Sequence, residues 1–130
     1  MRAWMVAVAI AVMALAALPA AAKVPLDYFA GTYEAVGRMP GADAMTFTEP
    51  MTITVEGDRL ILDVGGFGAG YLQEHQGALE GAPPYAGRMG DFWIDCLFKN
   101  DPDNYPVMIC KFWTQDRIGG EGLVTFWPDV

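Results

Sequence analysis

The sequence predicts an all-β, antiparallel domain, and three features carry that expectation. Short runs of β-branched and aromatic residues recur after Lys23, bounded by Gly, Pro, Asn and Asp. Two pairs of these runs fall into register as hairpins, each sorting apolar from polar side chains. Helical periodicity is scarce over the same stretch. Together they imply about seven or eight strands, closed as a small barrel or flattened as a sandwich.

The N-terminus needs separate treatment. Arg2 precedes an apolar, Ala-rich run that ends at Leu18, and Pro19-Ala20-Ala21-Ala22-Lys23 follows. One positive charge, a short apolar core and small residues at Ala20 and Ala22 predict a secretory signal peptide over residues 1–22. The run falls below the roughly 20 residues that span a bilayer comfortably. The expected mature chain is a single β domain over residues 23–130, with no membrane span, in the periplasm or outside the cell. Fifteen of the sixteen aromatics lie in that part, enough for a packed core.

Charge narrows the partners. The chain carries 8 basic and 16 acidic residues, and loss of Arg2 leaves 7 against 16, a net charge of −9. Such a surface disfavours nucleic acid, whose phosphates need clustered Lys and Arg, and it disfavours anionic membranes equally. It favours solubility, or a basic partner.

The elements follow in chain order. Residues 25–30 suit one helical turn leading into a strand over 31–39, and Pro40-Gly41-Ala42-Asp43 marks a loop. Next, a two-residue turn at Gly57-Asp58 pairs Val55 with Leu60, Ile53 with Leu62 and Met51 with Val64 on one face. Thr54 then faces Ile61 and Thr52 faces Asp63 on the other. A strand is expected over 71–76, and an extended loop over 81–90, where Pro83-Pro84 falls.

Cys96 and Cys110 form the tighter constraint. In an exported domain an even pair of cysteines predicts a disulfide. Placing the two opposite each other pairs Phe98 with Met108, Ile94 with Phe112 and Phe92 with Thr114. The outer face then pairs Asp95 with Lys111, Leu97 with Ile109 and Trp93 with Trp113. A turn at Gly119-Gly120 leads into a final strand over 122–127, where a two-residue connection sets Phe112 against Trp127 and Trp113 against Phe126.

Phe29-Ala30-Gly31-Thr32-Tyr33, after the expected helical turn, resembles the start of the first strand of lipocalin-like barrels. Those often carry Gly-x-Trp, and Tyr33 stands at the Trp position. The likeness covers these few residues and favours a barrel over an open sandwich.

Catalytic chemistry finds little support. The chain contains no serine, so a serine nucleophile is excluded. His75 is the one histidine and lacks partners for a metal site, and its neighbour Glu74 points to the opposite face of a strand. The glycine run at 65–70 lacks the strand-before, helix-after setting of a phosphate loop. The oxygen-rich turn at 100–104 lacks the Gly and distal Glu of a calcium loop. No cofactor or metal is expected.

The remaining signal is the outer face of the cysteine hairpin. Trp93, Trp113, Phe126, Leu97 and Ile109 are interrupted there by Asp95 and Lys111, a surface too apolar to face water without consequence. It predicts either a cover from the chain's own loops, at 65–70 or 81–90, or contact with a small apolar ligand, an exported protein partner or a second copy. The expected function is a non-catalytic binding or interaction module. An inhibitor of an exported enzyme, acting through the 81–90 loop, is the alternative. A carboxylate- or metal-dependent enzyme is the third class.

Overall fold

A computed structural model describes residues 24–41, 45–74 and 84–129. The signal-peptide segment, His75 and residues 81–83 lie outside the described residues. After a 3-10 turn at Leu26–Phe29 come eight strands. They are β1 Gly31–Arg38, β2 Thr46–Glu56, β3 Arg59–Val64, β4 Gly68–Glu74, β5 Tyr85–Met89, β6 Phe92–Asn100, β7 Pro106–Trp113 and β8 Gly122–Pro128. Each strand pairs antiparallel with the next, and β8 returns to β1, so the sheet closes into a barrel with no free edge.

Both predicted hairpins form in the expected register. Val55 faces Leu60, Ile53 faces Leu62 and Met51 faces Val64, around a turn in which Gly57 takes a φ of 62°. Cys96 faces Cys110, Leu97 faces Ile109 and Trp93 faces Trp113. The two cysteines are bonded, and their Cα atoms stand 4.1 Å apart, as suits a non-hydrogen-bonded pair.

Three expectations are corrected. The loop expected over 81–90 contains β5, whose alternating burial places Tyr85, Gly87 and Met89 inward. Gly and Ala hid this strand, because they carry no β signal of their own. Gly87 is there for space: a Cβ would collide with the Tyr71 carbonyl oxygen of β4. Second, β7 stops at Trp113, so the β6–β7 ladder ends at Trp93 and Trp113, one pair short of Phe92 and Thr114.

Third, β8 pairs differently. Phe112 meets Gly122, not Trp127, because the connection runs through 114–121 instead of a two-residue turn. That is a slip of five positions, an odd number, and an odd slip exchanges the two faces of a strand. Phe126 therefore lies opposite Met108, fully buried in the core, and Trp127 faces outward. Gly122 leaves room for the ring of Phe112, which a side chain would meet.

The lumen is filled with side chains. Ile53, Leu60, Leu62, Leu72, Met89 and Ile94 form one buried cluster with the two bonded cysteines, all essentially inaccessible. Aromatic groups stop both ends. At one end Phe29 packs edge-on against Phe98 and Tyr85, with centroids 4.9 and 5.3 Å away. At the other, Phe47 meets Phe67 at 4.8 Å and Phe92 meets Phe112 at 5.1 Å. Small eight-stranded barrels have an interior that side chains can fill, and this one does.

The Leu26–Phe29 turn is anchored twice. The Tyr28 hydroxyl lies 2.6 Å from both Asn100 Oδ1 and the Asn104 carbonyl oxygen. Buried Tyr33 donates its hydroxyl proton to the Phe29 carbonyl at 2.8 Å. Burial, helped by nearby Tyr28, pushes the Tyr33 phenol up to about 12.

Two outcomes are expected. Replacing both cysteines by Ala lowers unfolding free energy by about 3 kcal/mol from loop entropy alone, read by urea titration. Stability also falls as pH rises from about 10 to about 12, since over that window the folded chain retains a phenolic proton that the unfolded chain has released. Burial and Glu74 raise Tyr85 in the same sense. Urea midpoints across this range are expected to decline, and Tyr33→Phe to flatten part of the decline.

Candidate functional site

Residues of odd number on β6 and β7 point outward, so the predicted row of Trp93 and Trp113 lies on the outer wall. It is not bare. The Arg88 guanidinium sits 4.3 Å from the ring centroid of Trp93, and that of Arg117 sits 4.4 Å from Trp113. Trp113 is left 9% exposed. Arg88 belongs to the 81–90 segment named from the sequence as a cover, there as part of β5 rather than as a loop, and Arg117 comes from the 114–121 connection, which was not named. Arg88 Nε is buried with no hydrogen-bond partner, a cost that the ring contact offsets in part.

The connection is built to hold Arg117 in place. Asp116 Oδ1 accepts the Ile118 N–H at 3.1 Å and the Thr114 hydroxyl at 2.8 Å. Those donors hold the Asp116 carboxyl below its ordinary range. Arg117 itself takes a left-handed φ of 58°, which costs a non-glycine residue about 1 kcal/mol or more.

The accessible apolar surface lies further along the wall. Register places Leu97 beside Ile109, Ile109 beside Thr125 and Thr125 beside Val36, one row across β6, β7, β8 and β1. Leu123 and Trp127 flank Thr125 on β8. These five apolar residues are 37 to 49% exposed, and the register makes them contiguous. A neighbouring row runs Asp95, Lys111, Leu123, Arg38. Lys111 Nζ pairs with Glu121 at 3.9 Å.

Of the seven residues singled out from the sequence, the structure keeps Leu97, Ile109, Asp95 and Lys111 on this wall. Trp93 and Trp113 are there beneath arginines, and Phe126 is inside. Val36, Leu123 and Trp127 were missed. Trp127 and Leu123 follow from the odd slip in β8. Val36 required knowing that β1 closes the barrel beside β8.

Two grooves lie near the end stopped by Phe29. One of about 490 Å3 is lined by Tyr28, Asn104, Tyr105 and Asp129 among others. A second of about 320 Å3 shares Thr32, Tyr33 and Asp129 with it. Neither has a basic lining residue. The turn beside the larger groove is organised by Asp101, whose Oδ1 accepts the N–H groups of Asp103 and Tyr105, both at 2.9 Å. Among the described residues no group of three or more His, Cys, Asp or Glu side chains is placed to hold a metal ion, and no helix is long and apolar enough to cross a membrane.

The fold and wall together define an eight-stranded antiparallel meander barrel with a filled lumen and an apolar outer band. No protein-family model matches the chain, and no curated protein or solved structure matches it either.

The arginine covers give a direct test. Arg117→Gly removes the guanidinium and relieves the left-handed backbone, so stability changes by less than about 1 kcal/mol. Acrylamide quenching of tryptophan emission is expected to rise as Trp113 is uncovered.

Proposed function

We propose that the protein is a non-catalytic binding module that works outside the cytoplasm and grips its partner with the outer wall of β6, β7, β8 and β1. One observation carries the reading: Leu97, Ile109, Val36, Leu123 and Trp127 form a contiguous exposed apolar band on a small acidic barrel. Scattered apolar residues need no explanation, whereas a register-linked band with charged neighbours has the make-up of a contact surface. The filled lumen supports the same choice, since a ligand inside would have to displace the disulfide and its neighbours. Export rests on the apolar N-terminus with its small-residue site, together with the bridge.

The alternative, an inhibitor acting through the 81–90 segment, has less support, because residues 85–89 of that segment are barrel wall. A serine enzyme has no serine to use.

The experiment is probe binding at high dilution. Nile red, neutral and apolar, is expected to bind and brighten, and Ile109→Glu combined with Leu123→Glu to weaken it at least about tenfold. Both sites face outward, so the thermal midpoint is expected to stay close to the parent. Absence of probe binding by the parent chain, or binding unchanged in the double variant, refutes the reading.

A further inference from the structure

We infer that the Leu26–Phe29 turn is a gate over the Cys96–Cys110 bond. A thiol reaches the bridge through the barrel end that this turn stops, when the turn unseats and the barrel itself stays closed.

The walls offer no easy route. Both cysteines are 1% exposed. Tyr85 of β5 is the register partner of Cys96, and Val124 of β8 that of Cys110, and both are buried. Every strand is paired on its two edges, so entry through the wall must break a ladder of main-chain hydrogen bonds. The two ends remain, and they are built differently.

At one end Phe47, Phe92 and Phe112 come from barrel strands, joined by Phe67 from the short turn after β3. Displacing those rings means displacing the strands that carry them. At the other end the stopper, Phe29, belongs to no strand. It packs on Phe98 and Tyr85, and both border the bridge: Phe98 is two positions from Cys96 on β6, and Tyr85 lies across from Cys96 on β5.

This turn is held by few contacts. Its main-chain hydrogen bonds, from Tyr28 N–H to the Pro25 carbonyl and from Ala30 N–H to that of Asp27, close within the segment. Side chains seat it on the barrel. They are the Phe29 ring with partly buried Val24 and Leu26, the Tyr33 hydroxyl at the Phe29 carbonyl, and the Tyr28 hydroxyl at Asn100 and Asn104. Unseating a segment of this kind costs less free energy than opening the paired strands.

The chemistry admitted is thiol–disulfide exchange with an external dithiol. Its thiolate attacks one bridge sulfur, forms a mixed disulfide and expels the other cysteine as a thiolate, which takes up a proton. The second thiol of the reagent then closes on the mixed disulfide and releases the remaining cysteine. The dithiol gives up two electrons and the bridge gains them.

Reduction of the oxidised chain, purified as the cell processes it, by excess dithiothreitol decides the matter. New thiols are trapped with a maleimide and counted by mass. Below the denaturation midpoint, the logarithm of the rate is expected to rise with urea at less than about half the equilibrium m value, since unseating the turn exposes less surface than unfolding the barrel. Tyr28→Phe is expected to speed reduction about fivefold, and Phe29→Ala to speed it further. Phe47→Leu, at the far end, is expected to lower the urea midpoint and leave the reduction rate within about twofold of the parent.

A urea slope equal to the full m value, or a rate indifferent to Tyr28→Phe, overturns the inference. So does acceleration by Phe47→Leu in proportion to the stability it removes, since that result routes the thiol through barrel unfolding. Should Phe29→Ala fail to fold, the urea slope and the other two variants still decide.

Discussion

The bond between Cys96 and Cys110 is the constraint on which the remaining structure depends. By joining inward positions on β6 and β7 it decides which side chains of both strands enter the lumen. Ile94, Met108 and Phe112 go in with it, and Trp93, Leu97, Ile109 and Lys111 are sent out. β8 then inherits its faces from β7, and β1 from β8, so the outer band is a consequence of an inner bond. Core and surface are two readings of one register.

That dependence explains what was legible in the sequence. The hairpins at 51–64 and 92–113 were readable because each contains its own ruler: a Gly-Asp turn in one, a cysteine pair in the other. Once one pair is fixed, period-two alternation fixes all the rest. The entry of Phe126 into the core was not readable, since it turns on a connection whose length Gly119-Gly120 does not reveal. The extra residues, held by Asp116, change an even relation into an odd one. β5 was hidden for a different reason: Gly87 answers to the close approach of β4, not to strand propensity, and Ala86 carries no β signal.

The functional surface shows the same division. Leu97, Ile109, Asp95 and Lys111 were visible because they lie within one hairpin. Val36, Leu123 and Trp127 belong to the same band only after the first and last strands meet, a long-range fact that no local window contains. The two tryptophans of β6 and β7 drew attention as the largest apolar groups, yet Arg88 and Arg117 lie over their rings. Cation–ring contacts from a neighbouring strand and a distant loop leave no periodic trace. The exposed apolar character therefore passes from aromatic rings to aliphatic neighbours, with Trp127 the exception.

The position of the disulfide within the lumen has a bearing on how the molecule is assembled. Its sulfurs belong to a hairpin with a separation of 14 residues, whereas the pairing that seals the wall joins the first strand to the last. Short-range pairing costs less chain entropy and is expected to come first. Oxidation is therefore expected before the barrel closes, and closure leaves both cysteines 1% exposed, shielded from any thiol in their surroundings.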